Sequence, residues 1–141
     1  MVDEVLSNIV ILGAGFIGQS FAAVFADTGW TVTLIDPDPV VRGNVQRGLA
    51  QQSKAIRLAG LWQGDGGSVR VLAKADTELN TAAMVLECGP ENLSAKQAIF
   101  LSLLAETPPE TILATASSAI VISQILPDAV DQSRCLVAHP V

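Results

Sequence analysis

Short apolar runs alternate with segments of helical periodicity along most of this chain. Residues 9–12 form a run of strand type, and the following segment repeats large apolar side chains at the spacing of one helical face. These side chains are Ile17, Phe21, Val24 and Phe25. Gly29 suits the end of that helix, and the apolar positions 32, 34 and 35 predict a second strand. The chain therefore begins as strand, helix, strand.

The same alternation continues beyond residue 36. We expect a helix from Pro39 to about Leu58, which Gly43 and Gly48 weaken, and then a glycine-rich loop over 60–68. A strand over 69–72, a turn or short helix over 77–81 and a strand over 82–88 are expected next, followed by a helix that buries Ile99, Phe100, Leu103 and Leu104. The last expected elements are a strand over 111–115, a short helix from about Ile120 to Pro127, and a strand over 135–138. Ser94 and Gln97 form a capping-box pattern ahead of the third helix. Strands that alternate with helices predict right-handed βαβ units and a parallel sheet. We expect an α/β, Rossmann-type, doubly wound single domain with strand order 3-2-1-4-5-6.

The first strand-to-helix connection is glycine-rich and reads Gly13, Ala14, Gly15, Phe16, Ile17, Gly18. Gly13 permits a tight turn, Gly15 has no side chain to keep the backbone from a pyrophosphate, and Gly18 lets the helix lie close to the strand. The start of the helix then presents free N–H groups and the positive end of its dipole. We interpret residues 13–18, named the glycine loop below, as the cofactor-binding loop of a dinucleotide site.

Asp36 ends the second strand, 18 residues after Gly18. This spacing is close to the interval of about 20 residues expected for the carboxylate that bonds the ribose 2′-hydroxyl of a dinucleotide. A carboxylate there favours NAD, because a 2′-phosphate would meet like charge. The alternative interpretation of Asp36 is a turn or N-cap residue ahead of Pro37.

The composition of the chain bears on its surface and on its possible partners. Half of the residues are hydrophobic and only 16% are charged, against about a quarter in typical domains. Either a further domain or partner covers apolar surface, or the parallel sheet is buried on both faces. The net charge of −6 argues against nucleic acid and anionic membranes as partners. No apolar run approaches the roughly 18 residues of a membrane span, and the first residues lack signal-peptide character, so we expect a cytoplasmic protein.

The two cysteines, Cys88 and Cys135, fall on strands that the expected order does not place side by side. A separation of about 10 Å follows from strand spacing, which is too long for a disulfide. Two distant cysteines and one histidine have no recognised metal-ligand spacing. We therefore expect reduced thiols and no metal.

The polar residues that follow the predicted strands converge on one edge of the sheet. In an open parallel sheet the ligand crevice lies outside the carboxyl ends of the strands. The glycine loop lies at such an end, and so do Asp36, Glu91, Ser117, Ser118 and His139.

Five segments, in order and spacing, resemble the NAD-binding domain of the L-3-hydroxyacyl-CoA dehydrogenase superfamily: GAGFIG, LIDPDP, CGPENLSAKQAIF, ILATASSAIVISQI and LVAHPV. The similarity covers nearly the whole chain, is weakest over 43–74, and is greatest to the lambda-crystallin and L-gulonate 3-dehydrogenase branch. It implies that residues 1–141 form one NAD-binding domain without the helical C-terminal domain, which in the family completes the substrate site and makes dimer contacts. By the same resemblance, the full-length protein is expected to be a homodimer.

The resemblance also implies roles for individual residues. Asp36 would hold the adenosine ribose, and Glu91 and Lys96 would contact the nicotinamide-side ribose or order the loop around it. Ser118 would hydrogen-bond the substrate oxygen, and His139 would be the general base. This fits alcohol oxidation, in which the nicotinamide accepts a hydride and a base such as histidine removes the hydroxyl proton.

Each residue named on the nicotinamide side also has a purely structural interpretation. His139 could be a residue near a frayed terminus, and Ser117 and Ser118 could be helix N-caps. Glu91 could be a solvated loop charge, and Lys96 an exposed helix residue that pairs with nothing.

Departures from the family bear on the substrate. The family's acyl-CoA enzymes carry a Ser and a Lys on the second helix that touch the CoA nucleotide, and an ungapped count from Asp36 finds Gln52 and Ala59 there. The helical arm that follows is shortened through 61–68, so a small 3-hydroxy acid or a carnitine-like alcohol is favoured over an acyl-CoA thioester.

The sequence ends before the Asn and Glu that follow the His-Pro pair in the family, so we expect cofactor binding with little turnover. The predicted function is the NAD-binding part of an oxidoreductase that acts on a 3-hydroxy acid or 3-hydroxyacyl-CoA. The alternative is a stand-alone dinucleotide-binding or sensing module without catalysis.

Overall fold

The computed structural model describes residues 7–61 and 66–140. Within these residues six parallel strands form a sheet in the order β3-β2-β1-β4-β5-β6. The strands are β1 (Asn8–Leu12), β2 (Thr31–Ile35), β3 (Ser68–Leu72), β4 (Met84–Glu87), β5 (Ile112–Thr115) and β6 (Cys135–Val137). The helices are α1 (Phe16–Asp27), α2 (Pro39–Leu58), α3 (Leu93–Glu106) and α4 (Ile122–Ile125), and a 3₁₀ turn spans Thr77–Asn80. The predicted fold class and strand order are confirmed.

The second helix, α2, begins and ends where the residues at its termini predict. The Asp38 side chain accepts a hydrogen bond from the backbone N–H of Val40 at 2.8 Å, and Pro39 occupies the first helical position. An acidic N-cap followed by proline is a favourable helix start, because proline lacks the N–H that would otherwise need a partner. The helix runs to Leu58 as predicted, without a break at Gly43 or Gly48.

Both faces of the sheet are packed, which accounts for part of the low charge content. On one face Val10 and Val85 pack in a cluster with Phe100 of α3. On the other face Ile11 packs in a cluster with Val45 of α2. Alternate residues of the central strands therefore serve opposite faces, and such strands read as continuous apolar runs. Large apolar side chains are also exposed, among them Phe16, Val40, Leu58 and Leu61, so burial of the sheet does not account for all of the hydrophobic content.

The start of α3 corrects one expectation. Asn92 is the N-cap residue, and its side-chain oxygen accepts a hydrogen bond from Ala95 N–H at 2.9 Å. The capping box predicted for Ser94 and Gln97 was wrong, because the helix begins one residue before Ser94, at Leu93. Gln97 instead donates a hydrogen bond to the Gln124 carbonyl at 3.2 Å and ties α3 to α4.

The two cysteines are free thiols, and β5 lies between their strands as expected. Burial raises the pKa of the Cys88 thiol to about 12, and the Glu87 carboxylate beside it contributes to the rise.

Within residues 7–61 and 66–140 no group of three His, Cys, Asp or Glu side chains is arranged to hold a metal ion. None of the described helices has both the length and the apolar character required to cross a membrane. Of the predicted loop over 60–68, residues 62–65 lie outside the described part.

Candidate functional site

Two cavities lie next to each other at the carboxyl ends of the strands. The larger cavity has a volume of about 710 Å³, and Gly13 and Gly15 of the glycine loop line it together with Asp36 and Val41. The smaller cavity has a volume of about 380 Å³ and is lined by Glu91, Ser118 and His139. Residues 87–90 line both and form a shared wall. The crevice thus spans the point where the strand order reverses between β1 and β4, which is where open α/β sheets bind their ligands.

Two glycines of the loop are required by the packing of the backbone. Gly13 has a φ of +104°, and a Cβ there would lie 2.8 Å from the Cys88 carbonyl oxygen. A Cβ on Gly18 would collide with the Gly13 carbonyl oxygen. These contacts are the tight turn and the close approach of helix to strand that the sequence predicted.

The middle of the glycine loop is open to a ligand. A Cβ built on Gly15 would meet nothing within 4 Å, and Gly15 is the N-cap residue of α1, with no side-chain cap and no acidic residue in the first turn. The first backbone N–H groups of a helix lack partners within it and favour an anion. The loop therefore fits a pyrophosphate. Ile17 lines the smaller cavity, whereas the Phe16 side chain is 73% exposed and lines neither cavity.

Asp36 joins the glycine loop to the start of α2. One carboxylate oxygen accepts a hydrogen bond from Ala14 N–H at 2.9 Å, and the other accepts one from Asp38 N–H at 2.9 Å. Arg42 donates to the Asp36 backbone carbonyl at 2.8 Å. Asp36 is thus both a turn residue and part of the lining of the larger cavity, and the two interpretations of this residue are compatible.

Lys96 is a buried partner of a carboxylate that the sequence interpretation missed. Its ammonium donates to both carboxylate oxygens of Glu87, at 2.9 and 2.8 Å, and both side chains are 1% exposed. The interpretation of Lys96 as an exposed residue that pairs with nothing was wrong, because its position one turn into α3 faces the end of β4. A signal was available, since Glu87 is the one charged residue in the apolar run 82–88, and buried charges require partners.

Glu91 lies between Lys96 and the segment that follows β5. One of its carboxylate oxygens is 3.7 Å from the Lys96 ammonium, and the other accepts a hydrogen bond from the Ser117 hydroxyl at 2.6 Å. The Glu91 side chain is 48% exposed and lines the smaller cavity. The Glu91 carboxylate is therefore fixed by Lys96 and Ser117 and is not a freely solvated loop charge.

The two neighbouring serines have different surroundings. The Ser117 hydroxyl accepts hydrogen bonds from Ala119 N–H at 3.3 Å and Ile120 N–H at 2.8 Å, so Ser117 closes the turn. Ser118 is exposed and lines the smaller cavity, and none of the hydrogen bonds among the described residues uses its hydroxyl. The N-cap residue of α4 is Val121, so neither serine is its cap, and the Ser118 hydroxyl is free to meet a ligand.

His139 follows β6 and faces the same cavity. Its Nδ1 lies 3.3 Å from the Ala116 carbonyl oxygen, and Ala138 N–H donates to the Thr115 carbonyl at 2.8 Å. A carbonyl can only accept, so as a hydrogen bond this contact uses a proton on Nδ1, and in the neutral imidazole the Nε2 lone pair is then available. An imidazole held in this tautomer can remove a proton from a ligand in the smaller cavity.

Comparison with protein families matches residues 8–141 to the family described as 3-hydroxyacyl-CoA dehydrogenase, NAD binding domain. Among curated proteins, the chain is similar to the lambda-crystallin homolog of Rattus norvegicus, with 31% identity over all of this chain and 46% of the relative. It is also similar to L-carnitine dehydrogenase of Streptomyces griseus, with 30% identity over 97% of this chain and 41% of the relative. The chain thus spans less than half the length of these relatives.

Solved structures give the same result for the fold. The structure of 5-formyl-3-hydroxy-2-methylpyridine 4-carboxylic acid 5-dehydrogenase superposes with a TM-score of 0.84 and 26% identity, covering 95% of this chain and 44% of that one. The 3-hydroxybutyryl-CoA dehydrogenase of Escherichia coli superposes with a TM-score of 0.78 and 23% identity, covering 95% of this chain and 29% of that one. At this lower identity the second likeness concerns the fold alone.

Proposed function

The chain belongs to the family of 3-hydroxyacyl-CoA dehydrogenase NAD-binding domains, and from this premise we propose that its crevice is the cofactor half of a site that oxidises a 3-hydroxy substrate. One observation carries the proposal. The smaller cavity, which holds an unbonded serine hydroxyl and a histidine with a free Nε2, continues across a shared wall from the larger cavity beside the glycine loop. The dinucleotide would lie across that wall.

The residues around the larger cavity fit the adenosine half of NAD. The first turn of α1 offers backbone N–H groups to the pyrophosphate, and the open space beside Gly15 admits it. Asp36 would accept hydrogen bonds from the adenosine ribose, and its charge would repel a 2′-phosphate. When bound, NAD supplies the hydride acceptor.

The residues around the smaller cavity fit a proton-transfer role. Ser118 would donate a hydrogen bond to the substrate oxygen and hold the hydroxyl toward His139. Nε2 of His139 would take the hydroxyl proton as the hydride leaves the same carbon, and the Ala116 carbonyl would hold the imidazole in the required tautomer. Glu91, held by Lys96 and Ser117, would face the nicotinamide-side ribose.

The substrate we propose is a small 3-hydroxy acid or a carnitine-like alcohol rather than an acyl-CoA thioester. On α2 the positions where the family's acyl-CoA enzymes place Ser and Lys hold Gln52 and, at the C-cap, Ala59. Neither supplies the ammonium that a CoA phosphate would need. The L-carnitine dehydrogenase and lambda-crystallin relatives support the same direction.

For residues 1–141 alone we expect cofactor binding with little turnover. Ser118 and His139 are exposed, and a dehydrogenase site gains from the exclusion of water around the reacting atoms. The whole protein is proposed to act as a homodimer in which further residues cover this side of the crevice.

The test is a comparison of the whole protein with its His139→Ala variant, using NAD and a panel of 3-hydroxy acids, carnitine and 3-hydroxyacyl-CoA esters. We expect kcat to fall by roughly 10²–10⁴-fold in the variant, the usual contribution of general-base catalysis, while NADH affinity changes little. Retained turnover would remove His139 as the base. Tight NADH binding with no turnover of any alcohol would instead favour a dinucleotide-sensing module.

A further inference from the structure

Glu87 lies at the centre of a buried polar network beneath the smaller cavity, and the proposed reaction gives it no role. We propose that Glu87 is a positioning residue that fixes the loop over 89–91 and the turn over 115–118, and so sets the affinity for the nicotinamide half of the cofactor. The adenosine half would be held without it. This inference rests on the proposed function.

The Glu87 carboxylate is completely engaged and enclosed. One oxygen accepts from Gly89 N–H at 2.6 Å and from the Lys96 ammonium at 2.9 Å. The other accepts from the Thr115 hydroxyl at 2.8 Å and from Lys96 at 2.8 Å. Glu87 belongs to the wall of both cavities, but at 1% exposure its side chain offers a ligand almost no surface. We therefore expect its effect on binding to act through its partners.

The partners of Glu87 form a closed ring of polar contacts. Lys96 reaches Glu91, Glu91 accepts from the Ser117 hydroxyl, and Ser117 N–H donates to the Thr115 hydroxyl oxygen at 3.2 Å. Thr115 then donates back to Glu87. Every member lies on β4, on α3, at the end of β5 or in the segments that follow β4 and β5. Removal of the central carboxylate therefore takes one support from both segments at once, while the bond from Ser117 to Glu91 remains.

The ring adjoins the two reactive side chains, and the backbone at Glu87 and Ser117 makes the connection. The Glu87 backbone carbonyl accepts from Ala116 N–H at 2.9 Å, and the Ala116 carbonyl faces Nδ1 of His139. Ser118 directly follows Ser117. The groups that would meet the nicotinamide half and the substrate are thus anchored to the end of β4.

The adenosine half of the crevice has separate supports. Asp36 bonds to Ala14 N–H and Asp38 N–H, and Gly13 N–H donates to the Ile35 carbonyl at 2.7 Å. The shared wall keeps its own backbone bond from Cys88 N–H to the Leu12 carbonyl at 2.7 Å. Loss of the Glu87 carboxylate is therefore expected to affect the two halves unequally.

The experiment measures NADH and ADP binding by calorimetry, since ADP carries the adenosine and phosphates but lacks the nicotinamide half. In Glu87→Gln, NADH affinity is expected to fall roughly tenfold, the effect of losing about one charge-assisted hydrogen bond, while ADP affinity stays within about twofold. Glu78→Gln is the matched control, because Glu78 also pairs with a cation, Arg70, and accepts a backbone N–H, from Asp76, but lies outside the crevice. Equal losses for NADH and ADP, or an unchanged NADH affinity, would overturn the inference.

A lysine left without its buried partner can unfold a domain, so a second variant protects the test. Glu87→Leu combined with Lys96→Met replaces the pair by apolar side chains, which buried ion pairs often tolerate. The same unequal loss is expected there. In the wild-type chain, hydrogen exchange gives an independent readout: Gly89 N–H should be protected like the amides of β4, and exchange at the rate of a free loop would refute its anchoring.

The outcomes separate this inference from the proposed function. If the wild-type chain binds neither NADH nor ADP, the proposed function fails first. If it binds both and Glu87 variants show no preference between them, the proposed function stands and the positioning role of Glu87 is lost.

Discussion

The two halves of the crevice are built from different parts of the chain. The half where we propose that adenosine binds is mostly backbone: a glycine turn, the open start of α1 and one carboxylate that accepts from two backbone N–H groups. The half where we propose that nicotinamide binds is mostly side chain, and a ring there joins Glu87, Lys96, Glu91, Ser117 and Thr115. A site formed by the backbone tolerates few substitutions, because an added side chain collides with neighbouring backbone atoms. In a site formed by side chains, one substitution can remove a single contact.

The largest expected effect is on the backbone half, in Gly18→Ala. The added methyl group would collide with the Gly13 carbonyl oxygen, which belongs to the backbone and cannot rotate away. We expect a loss of about 2 kcal/mol or more in the free energy of unfolding and a large loss of NADH binding. Thermal and denaturant unfolding measure the first effect and calorimetry the second.

Gly43→Ala is the matched control for that substitution. Gly43 lies inside α2, and a Cβ there would meet nothing within 4 Å. Alanine in an open helical position is expected to stabilise the domain by roughly 0.5–1 kcal/mol. If Gly18→Ala and Gly43→Ala had equal free energies of unfolding, the close approach of α1 to the Gly13 turn would not explain the glycine at position 18.

These contrasts also explain which parts of the molecule the sequence predicts. The glycine loop, the start of α2 at Asp38 and the strand order follow from local signals and from the rules of βαβ connection. The pairing of Glu87 with Lys96 could not be predicted in the same way, because it depends on two elements that meet only in the folded domain. A charged residue at the end of an apolar strand indicates that a buried partner of opposite charge is required, but it does not indicate which residue that partner is.

The two serines and the start of α3 show the same limit at smaller scale. Ser117 and Ser118 are adjacent, chemically identical and both line the smaller cavity, yet the Ser117 hydroxyl closes a turn and no hydrogen bond among the described residues uses the Ser118 hydroxyl. Asn92 and Ser94 are both good N-cap residues, and a shift of two residues in the helix start decides between them. Such choices are made by packing, which the sequence pattern does not resolve.

A smaller effect that separates folding from binding is expected in Gly15→Ala. Nothing lies within 4 Å of the added methyl group, and the φ of −73° suits alanine, so stability should change by less than about 0.5 kcal/mol. The methyl group would occupy the space beside the start of α1, where we place the pyrophosphate. Calorimetry should show NADH and ADP weakened by a similar factor of roughly tenfold or more. Unchanged ADP binding in this variant would move the pyrophosphate away from the glycine loop.

The smallest effect concerns the choice between NADH and NADPH, and it probes the carboxylate of the proposed adenosine half. In Asp36→Asn a single amide oxygen replaces two carboxylate oxygens that now accept from Ala14 N–H and Asp38 N–H. NADH affinity should fall by roughly threefold to tenfold, as for one weakened hydrogen bond. NADPH should lose less or gain, because the negative charge beside its 2′-phosphate is removed. Titration of the wild-type and variant chains with both cofactors measures the ratio of their affinities. Two results would contradict this role of Asp36: a wild-type chain that binds NADPH as tightly as NADH, or a ratio of affinities that Asp36→Asn leaves unchanged. Either result would mean that the Asp36 side chain does not select the cofactor and that the proposed adenosine half acts through its backbone alone.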